Sequence, residues 1–205
     1  FLKNTSQKFK EGGISVTYAF VDNKEFNTTI NISMQSLNAA FFKPNIIFVS
    51  IDIGNINLQY YDKLLSDVKK NNFGMIIYIP FSTAGLAIKK NINLWLTNIP
   101  TNWKETFNVG SNDLSTLLSL LICKNWKGAI DVHIVNNNPD LKFSGKDIED
   151  FLTMVRFPKN ANIGVNQGDL LKNAQKYRNA DVNIFSVDDG MLTSDMIKIV
   201  NESRI

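Results

Sequence analysis

DLSTLLSLLICKNWKGAIDVHIV, residues 113–135, decides the fold. Its first half places Leu114, Leu117, Leu118, Leu121 and Ile122 at i, i+3, i+4, i+7 and i+8, one apolar stripe of a helix. Asp113 stands in the first turn, where a carboxylate suits the positive end of the helix dipole. Ala129 to Val135 then reads as a strand. A helix followed at once by a strand is the repeating unit of an α/β sheet.

The same alternation extends in both directions. Toward the N-terminus, residues 1–12 read as a weak helix closed by Gly12-Gly13, and Ile14, Val16, Tyr18 and Phe20 alternate as a strand over 14–21. Phe26, Ile30, Met34, Leu37 and Phe41 recur at helical spacing over 25–41, and Lys43-Pro44 stops that helix. Ile46 to Ile51 is an apolar run of the kind buried on both faces of a sheet. Tyr61, Leu64, Leu65 and Val68 mark a helix, and Gly74 to Pro80 the next buried strand. There the alternation breaks: Thr83-Ala84-Gly85-Leu86 is turn-like, and Ile92, Leu94 and Leu96 form a strand with no helix before it, as at a hairpin or a seam between lobes.

Beyond residue 135, the loop 136–143 is Asn-rich and holds Pro139. Ser144 and Asp147 resemble a capping box with Asp in place of Glu, ahead of a helix whose apolar face is Ile148, Phe151, Leu152 and Val155. Pro158 ends it. A strand at 162–165, a short helix at 169–177, a strand at 182–187 and a helix at 193–203 complete the pattern. These elements predict an α/β fold, an open and mostly parallel sheet with helices on both faces, with 1–88 and 89–205 as two candidate lobes of one domain.

Composition narrows the function. At 44% hydrophobic and 20% charged residues, the chain is an ordinary globular protein. Its net charge of +3 is modest and its lysines and arginines are spread along the sequence, so nothing calls for nucleic acid. The single cysteine, Cys123, rules out an intrachain disulfide and fits a reducing compartment. The longest apolar stretch, Phe73 to Phe81, is far below the ~20 residues that a spanning helix needs. The first residue is Phe1, and the last lies within an expected helix, so the chain reads as part of a longer protein.

No cluster of residues specifies a reaction. Asp22, Asp52, Asp188 and Asp189 fall at the C-terminal ends of expected strands, where converging carboxylates could hold a cation such as Mg²⁺, but Asp is also favoured in turns. Gly110-Ser111-Asn112-Asp113 opens a helix, yet Asp113 would repel a phosphate, and Ser111 reads as a helix cap. The Walker and dinucleotide glycine patterns are missing from the sequence. His133, the only histidine, sits mid-strand without an evident nucleophile, and Cys123 reads as a buried thiol. No catalytic, cofactor or metal site is therefore assigned. The interface candidates are aromatic: Trp103, which follows Pro100 in an expected loop, with Phe41 and Phe42. Lys89-Lys90 is a turn that could face anionic lipid.

Five short peptides carry a family resemblance: Ser33 to Leu37, Phe41 to Ile47, Thr83 to Leu86, Asn91 to Trp95 and Asn125 to Gly128. In this order and spacing they resemble the C-terminal domain of the cation-chloride cotransporter-like permeases, members of the amino acid–polyamine–organocation superfamily. The Lys-Pro-Asn entry at residues 43–45 and the Ala180 to Phe185 strand fit the same domain. The resemblance implies a fold related to universal stress proteins and a place on the cytosolic side of the membrane, behind a transmembrane transporter domain. It further implies homodimerisation and regulation of transport, with ion-binding residues confined to the membrane domain. It implies no enzymatic activity and no cofactor, and one further strand beyond the final helix. The competing expectation is a nucleotide-binding sensor of the universal stress type. Gly164 and Gly168 supply only the start of that family's nucleotide motif. A small hydrolase would need a Gly-x-Ser-x-Gly elbow, which the sequence lacks.

Overall fold

The computed structural model describes residues 2–16, 25–38, 44–51, 58–80, 86–100, 102–106, 110–136, 143–177, 180–186 and 193–202. The first part of the chain forms α1 (Leu2–Glu11), α2 (Phe26–Asn38), β1 (Ile46–Ser50), α3 (Leu58–Lys70) and β2 (Gly74–Tyr78). β1 and β2 pair in parallel, with Ile46 opposite Gly74. Their apolar side chains meet those of α2 and α3 in a small core of Met34, Val49, Ile51, Leu64, Val68 and Phe73.

The second part forms β3 (Asn91–Thr97), α4 (Trp103–Thr106), α5 (Asp113–Trp126), β4 (Ala129–Asn136), α6 (Gly145–Val155), β5 (Asn162–Gln167), α7 (Leu170–Ala174), β6 (Val182–Phe185) and α8 (Thr193–Glu202). Its four strands make a separate sheet in the order β5-β4-β3-β6. Every pairing described in it is parallel. Alternate side chains divide between the faces. Ile92, Leu94, Leu96, Ile130, Val132 and Ile134 join Trp103, Cys123 and Phe151 in the main core, against α5 and α6. Trp95 and Val135 point the other way and pack with Ala174 of α7. The expected parallel α/β architecture with helices on both faces is present. The break after β2 is the passage from one sheet to the other, since β3 pairs with β4 and β6.

Local chemistry sets the boundaries. The Ser144 side chain accepts from the Asp147 amide while the Asp147 carboxylate accepts from the Ser144 amide, so the capping box closes with Asp in place of Glu. Lys127 and Arg156 end α5 and α6 in the left-handed conformation. α7 is capped by Asp169 and stops at Ala174, shorter than the spacing predicts.

Two further expectations change, and three others fall partly outside the described residues. The strand expected over 14–21 lies from residue 17 onward outside the described residues, as do the end of the helix expected over 25–41 and most of loop 136–143. Trp103 begins a short helix instead of standing in a loop. The leucine stripe of α5 is not its buried face: Ser115, Thr116, Ser119 and Cys123 are buried, whereas Leu117 and Leu121 are exposed. Small side chains let the helix axis approach the sheet, and the leucines spread to the flanks, where Leu118, Leu120 and Ile122 still reach the core.

Candidate functional site

In an open α/β sheet, ligands sit beyond the C-terminal strand ends at the point where strand order reverses. Here that point lies between β3 and β6, because the chain runs from β3 out through β4 and β5 before returning to β6. Asn112 fills it. Its side chain is 0% exposed, its Nδ2 donates to the Thr97 carbonyl at 2.8 Å, and its Oδ1 accepts from the Thr97 amide at 3.2 Å. One turn on, Ser115 Oγ donates to the Asn112 carbonyl at 2.9 Å and lies 2.6 Å from Ser186 Oγ, just past β6. The Ser115 proton is committed to Asn112, so the Ser186 hydroxyl donates to Ser115 Oγ. Asn112, not Ser111, is the N-cap of α5, and its amide side chain reads the β3 backbone rather than capping the helix. At this point the polar groups of Asn112, Ser115 and Ser186 are bonded within the chain.

The opposite face of the same sheet carries His133. The ring is 5% exposed and stacks on Trp95 at 4.2 Å between centroids, with Tyr177 at 4.3 Å on a tilted approach. Trp95 in turn stacks on Phe185 at 5.9 Å. Among the described residues neither imidazole nitrogen has a hydrogen-bond partner. Burial pushes the His133 pKa below its ordinary value, and the Asp131 carboxylate opposes that shift without overcoming it. A neutral ring packed among aromatic faces is a structural group with no bond to a nucleophile. Cys123 is similar: its Sγ donates to the Gly128 carbonyl at 3.3 Å, and burial pushes the thiol pKa up.

The candidate interface residues divide. Trp103 is 4% exposed, with Phe143 stacked at 6.5 Å and Phe151 edge-on at 5.5 Å, so its ring is used inside this chain and offers no free aromatic surface. The cause is α4, which turns the ring inward while Lys104 beside it pairs with Asp147 and Asp150 of α6. Phe41 and Phe42 lie outside the described residues, as do Asp22, Asp52, Asp188 and Asp189. Among the described residues no three His, Cys, Asp or Glu side chains gather as a metal site. None of the described helices is long and apolar enough to cross a membrane.

The exposed apolar surface lies elsewhere. Phe26, Ile30 and Leu37 of α2 line a groove with Ile46 and Phe48 of β1, and Phe48 is 63% exposed. Leu114 of α5 comes close to β2, its Cδ2 lying 3.4 Å from the place a side chain on Gly74 would occupy. Leu117 and Leu121 continue outward from there. The spacing of Ser115, Thr116, Ser119 and Cys123 was the signal that this leucine face looks outward.

Comparison with known proteins accounts for both halves. Residues 1–86 match the family model described as prokaryotic cation-chloride cotransporter, C-terminal domain, first part, and residues 88–203 match the second part. The chain is also similar to a solved structure titled as the cytoplasmic domain of a prokaryotic cation chloride cotransporter. The TM-score is 0.75 at 19% identity, over 98% of this chain and 75% of that one. None of the curated proteins matches the sequence. The chain belongs to the prokaryotic cation-chloride cotransporter C-terminal domain family.

Proposed function

We propose that this chain is the cytosolic regulatory and dimerisation domain of a cation-chloride cotransporter, and that an attached membrane domain performs the transport. The observation that carries the reading is the match of both halves, 1–86 and 88–203, to consecutive parts of one cotransporter domain. The hydrogen bonds of Asn112, Ser115 and Ser186, made within the chain at the switch point between β3 and β6, support a role without catalysis. They also count against the nucleotide sensor. The domain biases the transporter only if it contacts two transporter conformations differently. Deleting residues 1–205 from the parent transporter is expected to change transport rate, assembly or delivery to the membrane. Unchanged values of all three would overturn the reading. Isothermal titration with ATP tests the sensor alternative, and the expected result is no heat of binding at micromolar ligand.

A further inference from the structure

Four lysines from two separate segments meet at one end of the second sheet. Lys89 and Lys90 precede β3, and Lys124 and Lys127 lie at the end of α5, just before β4. The fold brings the two segments together: the Ala129 amide donates to the Lys90 carbonyl at 2.9 Å, and Gly128 packs directly on that carbonyl. All four side chains are exposed. Next to them, Leu86 is 52% and Ile88 76% exposed, the latter the highest value among the large apolar side chains described. Asp181 touches the turn: its Oδ2 accepts from the Lys90 backbone amide at 2.7 Å, so that oxygen is turned toward the backbone. Ala87 and Lys90 both have φ of 61°, so the backbone turns sharply here.

Two exposed aliphatic side chains beside four exposed lysines make a surface that is both cationic and apolar. It fits a surface that is anionic, deformable and apolar just below its headgroups. We propose that the Leu86–Lys90 turn, with Lys124 and Lys127, is a contact site for the anionic lipid surface of the membrane. This inference rests on the cotransporter reading, which places the chain beside a bilayer. Lysines near such a surface are attracted to it, and aliphatic side chains gain by leaving water at the headgroup boundary.

The test is co-sedimentation of the 205-residue chain with vesicles of phosphatidylcholine containing one third phosphatidylglycerol, over a lipid series into the millimolar range. Binding is expected to the anionic vesicles, to weaken with added salt, and to be lost on pure phosphatidylcholine. Lys89→Ala and Lys124→Ala should each weaken it roughly fivefold. Ile88→Ser should weaken it by on the order of tenfold without changing the salt dependence. These positions are exposed, and an unchanged circular dichroism spectrum checks that each variant folds. No binding to anionic vesicles, binding indifferent to all three substitutions, or equal competition by soluble glycerophosphate would overturn the proposal. If vesicle binding fails while deletion of the chain still alters transport or assembly, the lipid contact alone is wrong. If deletion also changes nothing, the regulatory and dimerisation reading fails with it.

Discussion

At the scale of single residues, the two faces of the second sheet make opposite use of polar groups. His133 is buried, with no hydrogen-bond partner among the described residues, and burial makes the folded state favour its neutral form. Its folded pKa therefore lies below the unfolded value near 6.5. Between those two values the unfolded chain binds the extra proton and the folded one does not. The contribution is fully present above pH 6.5 and is lost as pH falls toward the folded value. His133 is the only histidine, so one imidazole resonance followed by NMR gives the folded pKa directly. His133→Phe keeps the stack on Trp95 and should flatten the pH dependence of urea stability in that window. A titration at or above 6.5 would contradict this account. On the other face, Ser115 and Ser186 are satisfied in a chain of donors. Ser115→Ala strands the Ser186 hydroxyl and should cost about 1–3 kcal/mol in urea unfolding. Ser186→Ala leaves the Ser115 bond to Asn112 intact and should cost about 1 kcal/mol or less. A larger loss for Ser186→Ala than for Ser115→Ala would mean that the donor order is reversed.

At the scale of elements, the junction of α5 and β4 depends on Gly128. A Cβ there would stand 2.1 Å from the Lys90 carbonyl oxygen, which accepts the first hydrogen bond of the β3–β4 ladder. The requirement is for space, and Lys127 before it already makes the left-handed turn. Gly128→Ala should destabilise by about 1–3 kcal/mol through overpacking, read as a lower urea midpoint with fast amide exchange at the start of β3 and β4. A midpoint within error of the parent would show that the two segments separate freely. The strands and most helices were legible in the sequence because they depend on local periodicity: Ile92, Leu94 and Leu96 alternate, and Ile148, Phe151, Leu152 and Val155 recur on a helical face. The buried face of α5 was not, since a leucine stripe and a line of small residues fit the same helix and only packing decides between them. The lock at the crevice joins Thr97 to Asn112 across 15 residues and Ser115 to Ser186 across 71, which no local pattern encodes. Trp103 was misplaced because a single helical turn after Pro100 carries too few residues to show a period.

At the scale of the whole molecule, the two sheets have separate cores. Among the described residues, they meet where Leu114 approaches Gly74 and where α8 packs on α3. Their strengths differ. Among the described residues, the first core holds six buried hydrophobic residues under two paired strands, with Ile46 and Phe48 left exposed on β1. Among the same residues, the second holds twelve under four strands. Buried apolar area is the main favourable term in folding, and a two-stranded pair is marginal by itself. The first part should therefore open at lower denaturant than the second. Trp95, Trp103 and Trp126 all belong to the second part, so tryptophan fluorescence reports on it alone. Far-UV circular dichroism also sees α2 and α3 of the first. Urea unfolding is expected to lose part of the helical signal before the fluorescence changes, with amides of residues 58–80 exchanging ahead of those in β3 and β4. Coincident transitions would contradict this expectation, and Leu114→Ala then decides the cause. If that substitution splits the transitions, the contact with Gly74 is what couples the two cores. If they stay together, α3 and α8 carry the coupling.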